Sequence, residues 1–84
     1  MRNALVVIQQ PDSTPVPPGT LITMLPGNET FVVGNRGEAY LTDLKDSNHL
    51  LVTRKDGTCE LTFALGPAAD GEPRIGPLTC VPGK

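Results

Sequence analysis

Aromatic side chains are nearly missing from these 84 residues: there is no Trp, one Tyr and two Phe. The interior must therefore be aliphatic and thin, because a chain of this length buries only about 60% of the surface that its unfolded form exposes. Histidine is as scarce, with His49 alone, and no Cys-x-x-Cys or His-rich set is present; the spacing that a metal centre needs is not there. No cluster of basic residues accompanies the net charge of −2, which argues against nucleic acid and anionic membranes as partners. The apolar run Ala4 to Ile8 is far short of the roughly 20 residues of a membrane helix, and too short for the apolar core of a signal peptide. Direct membrane insertion is not expected. Nine Pro and nine Gly leave no room for long helices, and the length fits one domain, residues 1–84.

What is present is a series of short β-type runs, organised around Phe31 to Leu44. Two apolar segments flank Gly34-Asn35-Arg36-Gly37, which reads as a β-hairpin with Asn35 and Arg36 near the right-handed region and Gly37 at positive φ. Val33 would face Ala39, Val32 would face Tyr40 and Phe31 would face Leu41. Phe31, Val33, Ala39 and Leu41 then share a core face. Thr30, Val32, Glu38, Tyr40 and Thr42 share the other.

The rest follows the same grammar. Ala4 to Ile8 is apolar at both parities, so it is buried on both faces or meets a partner on one. Pro15 to Gly19 can only be an edge or a connector. Thr20 to Leu25 is a strand stopped by Pro26-Gly27-Asn28, and Leu44 to Asn48 is a polar turn. His49 to Arg54 and Thr58 to Leu65 form a hairpin about Lys55-Asp56-Gly57. Leu50 and Val52 point inward there, with Cys59, Leu61, Phe63 and Leu65. A last strand lies between Ile75 and Val81. About seven short strands at turn spacing predict an all-β fold, a small β-sandwich or barrel.

Nothing in the sequence assembles a catalytic centre or a cofactor site. His49 starts a strand with no nucleophile or carboxylate assigned to it. Asp43, Asp46 and Asp56 lie in or beside turns, where Asp bonds its own backbone. Gly34 to Gly37 lacks the following helix and the Lys-Ser/Thr of a phosphate loop. Asn28-Glu29-Thr30 matches the glycosylation sequon, and Arg54 and Lys55 read as a solvated strand end. Cys59 and Cys80 fit a disulfide in an oxidising compartment, which would contribute roughly 3 kcal/mol by closing a loop of about 20 residues; the alternative is two buried thiols of a cytosolic protein. Apolar Val32, Tyr40 and Leu51 fall on the parity opposite the core. They are the candidate protein-binding residues, with Val6 or Ile8 as additional members of the same face.

The order of the segments resembles the C-terminal periplasmic domain of outer-membrane ushers of the chaperone–usher pathway. The residues that carry it are Pro15-Val16-Pro17-Pro18-Gly19-Thr20-Leu21-Ile22, Val33 to Leu44, Leu50-Leu51-Val52, Cys59-Glu60-Leu61 and the final Cys80. Order and spacing, rather than any single motif, make the match, over roughly residues 4–82. Pro18 replaces the family's Phe, Asp43 its Gly and Arg54 its aromatic residue. The resemblance implies a transthyretin-like Greek-key β-sandwich or barrel, a Cys59–Cys80 disulfide and a place on the periplasmic side of the outer membrane within a longer, membrane-embedded usher. It also implies a non-catalytic role in docking chaperone–subunit complexes during fimbrial or capsular fibre assembly, in concert with the other domains of the usher. The competing reading is a passive transthyretin-like or immunoglobulin-like linker domain of a surface protein.

Overall fold

A computed structural model describes residues 2–66 and 73–82. The described residues form seven strands: β1 (Ala4–Gln9), β2 (Leu21–Leu25), β3 (Thr30–Val32), β4 (Glu38–Leu41), β5 (Ser47–Arg54), β6 (Gly57–Ala64) and β7 (Arg74–Thr79). They make two sheets, one ordered β4-β1-β7 and the other β3-β2-β5-β6. This is the all-β sandwich that the sequence predicts.

Alternation places the core between the sheets. Ala4, Val6 and Ile8 are fully buried on β1, as are Ile22 on β2 and Leu50 and Val52 on β5. Leu5 and Val7, the other parity of β1, are half-buried on the outer face. The apolar run at both parities is thus a central strand, paired antiparallel with β4 and parallel with β7. Pro15 to Gly19 is the connector expected of it: Pro15 bridges Gln9, and Val16 donates its N–H to the Ile8 carbonyl and buries its side chain. β5 begins two residues before the expected strand, at Ser47, because Asn48 is buried and its side chain bonds both the N–H and the carbonyl of Lys45. The Asp-Gly hairpin is present, with Arg54 opposite Gly57.

The central hairpin is corrected. β3 pairs with β2, whereas β4 pairs with β1 in the other sheet. Val32 therefore faces Leu21, and Tyr40 faces Leu5. The intervening residues carry the chain across the sandwich, and the Gly34 N–H to Glu38 carbonyl bond (2.8 Å) closes that link. The face assignment survives, since Val33, Ala39 and Leu41 are buried and Phe31 packs against the core. A period of two states which side of a strand is inward and leaves open which strand lies beside it. The corner also differs: Arg36 as well as Gly37 has positive φ (+58° and +72°). A side chain at Gly37 would run into the carbonyl oxygen of Ile8, so glycine is required by close approach and not by φ alone.

The Cys59–Cys80 disulfide fastens the sheets to each other. Cys59 lies on β6, Cys80 directly follows β7, and their Cα atoms are 5.6 Å apart. Both residues belong to the buried core.

Candidate protein-docking faces

The two outer faces place the sequence-derived candidates. On the four-stranded sheet, register sets Val32 opposite Leu21, and Leu21 opposite Thr53. The next row runs Thr30, Thr23, Leu51 and Glu60. Val32 is 63% exposed and Leu21 37%, while Leu51 is half-buried. Directly opposite side chains stand about 5 Å apart at Cβ, and diagonal ones about 7–8 Å. Leu21, Val32 and Leu51 therefore form one apolar group at the β3-β2-β5 end of this face. Further along, His49 and Glu60 form a 2.7 Å pair between β5 and β6.

Leu21 was not among the sequence candidates. The signal was available: Thr23 is the polar residue of Leu21-Ile22-Thr23-Met24-Leu25, and Leu21 shares its parity.

Tyr40 belongs elsewhere. It lies on the outer face of the three-stranded sheet, opposite Leu5, which in turn lies opposite Arg74. Glu38 and Arg74 reach each other at 3.4 Å from the strands on either side of β1, and Arg36 stands 3.7 Å from Glu38. Val6 and Ile8, considered as members of the docking face, are fully buried in the core. The structure thus groups Val32 with Leu51, adds Leu21, and separates them from Tyr40.

Arg54 is not a solvated strand end. Its side chain is only 11% exposed and bonds Gln10 (2.8 Å) while standing 3.5 Å from Asp56. It ties the end of β5 to the segment that leaves β1. An open groove between the β2–β3 turn and the β4–β5 loop is lined by Arg2, Met24, Pro26, Glu29, Asp43 and His49, among others. Its lining mixes charges of both signs with apolar side chains. Among the described residues, no three His, Cys, Asp or Glu side chains group as metal ligands.

This architecture is shared with usher C-terminal domains of known structure. The chain is 25% identical to the C-terminal domain of the Caf1A usher, with a TM-score of 0.82 over 98% of this chain and 99% of that one. The Caf1A domain is described as carrying conserved hydrophobic clusters on its surface that are important for F1 antigen assembly. The C-terminal domain of the PapC usher has the same fold, at 21% identity and a TM-score of 0.72 over 96% of this chain and 100% of that one. No curated protein matches the chain in sequence. The family model of the PapC C-terminal domain matches residues 5–67, and the chain belongs to that family, the C-terminal domain of ushers of the chaperone–usher pathway.

Proposed function

We propose that this domain is a non-catalytic docking module on the periplasmic side of the outer membrane, forming the C-terminal part of a longer usher. It receives chaperone–fibre subunit complexes during assembly and works beside the other domains of that usher. The contact is made by the outer face of the four-stranded sheet at Leu21, Val32 and Leu51, with Tyr40 as a separate contact on the opposite face. One observation carries this reading: two large aliphatic side chains, directly opposite in register, stand out on a sheet surface among Thr residues. The surface clusters described for the Caf1A domain support it by likeness.

The test is a Leu21→Thr/Val32→Thr usher, with Tyr40→Ser made separately. Fibre on the cell surface falls by about tenfold or more in the double variant, since good interface contacts are worth ~1–2 kcal/mol each. The Tm of the isolated domain stays close to that of the parent. Unchanged assembly with an unchanged Tm in both variants assigns the domain to the passive linker class.

A further inference from the structure

A β-sandwich has four edge strands, and each exposes backbone groups able to pair with another chain. Three of the four are blunted here. β3 has three residues and β4 four. β7 contains Pro77, which has no N–H to offer, and its register with β1 shifts between Val6 and Ile8. Short strands, proline and irregularity are the usual protections.

β6 has none of them. It is eight residues long, without proline, in unbroken register with β5 from Gly57 to Ala64. Glu60 is its one charged residue, and that side chain already meets His49. The Leu65 N–H to Asp46 carbonyl bond sets the phase of the ladder. Odd-numbered β6 residues exchange bonds with β5, and the N–H and C=O groups of Thr58, Glu60, Thr62 and Ala64 point to the open side. No described residue bonds those groups. Leu61, on the inward parity of β6, packs against the core yet remains partly exposed, as do Ile75 and Leu78 on β7.

We propose that β6 pairs antiparallel with β6 of a second copy of this domain, joining two four-stranded sheets into one of eight. The pairing centres on Leu61 against Leu61. Glu60 then lies opposite Thr62, and Thr58 opposite Ala64. All four outward-pointing residues of each strand find partners, and the one charge does not meet itself. The neighbouring register toward the N-terminus sets Glu60 against Glu60. The neighbouring register toward the C-terminus leaves Thr58 opposite a position beyond Ala64, where β6 ends. The central pair is of the closely spaced, non-hydrogen-bonded kind, which covers the exposed part of Leu61. The contact is isologous, as a closed dimer requires. An interface of one strand pair belongs to the small, transient class.

Sedimentation equilibrium of the domain over a concentration series, with amide hydrogen exchange followed by NMR, tests this. A reversible dimer forms as concentration rises, and protection increases at the amides of Thr58, Glu60, Thr62 and Ala64 in particular. Thr62→Pro removes a donor aimed away from β5, so the fold is kept and dimerisation weakens by about tenfold or more. A domain that stays monomeric at every concentration overturns the proposal. So does a dimer indifferent to Thr62→Pro, or protection of those four amides only when a chaperone–subunit complex is added, which would assign the edge to a strand of another protein.

Discussion

The two outer faces of the sandwich differ in how they treat apolar residues. The three-stranded sheet turns Leu5, Val7 and Tyr40 outward; the Glu38–Arg74 pair reaches across β1, where Leu5 and Val7 are half-buried, while Tyr40 on the edge strand β4 stays 41% exposed. The four-stranded sheet turns Leu21, Val32 and Leu51 outward among Thr23, Thr30 and Thr53, whose short side chains leave Val32 63% exposed. Long charged side chains cover apolar surface with their methylene stems, and threonines do not. An outward apolar residue is therefore informative only together with what its cross-strand neighbours can reach.

The largest effect comes from removing what keeps the two faces back to back. Cys59→Ala/Cys80→Ala deletes a cross-link spanning 21 positions, which the loop-entropy relation values at roughly 3 kcal/mol. For a domain of this size that is a fall in Tm of more than about 10 °C, read by thermal melting. A thiol titration of the denatured, unreduced parent protein finds no free thiol. Two free thiols, or an unchanged Tm, would show that the core alone holds the sheets together.

The comparison itself breaks if the ion pair gives no cover. Glu38→Ala and Arg74→Ala each cost little stability, because the side chains are 22% and 60% exposed and such pairs are worth about 0.2–1 kcal/mol. A double-mutant cycle in urea measures the coupling, which shrinks at high salt. The sharper readout is binding of a hydrophobic dye. Removing the pair raises it by uncovering Leu5 and Val7, whereas Leu21→Thr/Val32→Thr lowers it. Equal dye binding by all variants would mean that the faces do not differ.

How much of this the sequence carried depends on the kind of signal. Strand count, inward parity and the Asp-Gly hairpin rest on local alternation and turn chemistry, and each is found in the structure. Strand partnership is non-local. Phe31 to Leu44 reads as a hairpin because two apolar runs flank the Gly34 to Gly37 corner, a pattern that holds equally when the two strands lie in different sheets. The same limit divides the candidate site: Val32 and Tyr40 share a face only if their strands pair, whereas Val32 and Leu51 lie on one outer face of the sheet that the structure forms. Asp43 is a different case. It stands where the usher pattern has Gly, and its φ of +58° is one that glycine adopts freely and Asp tolerates better than most residues. The position that departs from the pattern is thus one where this chain holds a left-handed backbone.

The smallest effect concerns the link between the two sheets. The chain leaves β1 through a turn in which Asp12 accepts bonds from the backbone N–H (3.0 Å) and the hydroxyl (2.6 Å) of Thr14. The Thr14 hydroxyl and backbone bonds, with a weaker contribution from Arg54, hold the Asp12 carboxyl below its ordinary value. A depressed carboxylate favours the folded state at pH values above its ordinary pKa, and that contribution is lost as pH falls through the lower, folded value. Asp12 is fully exposed, so the turn and not the global fold should respond. In an NMR titration the Asp12 carboxyl therefore protonates at lower pH than an unstructured Asp, and the Thr14 amide shifts with it. Thr14→Val removes the hydroxyl donor and moves the titration back toward the ordinary range. A titration that Thr14→Val leaves in place would assign the effect to the Thr14 backbone N–H, which the substitution retains, with Arg54 the smaller contributor.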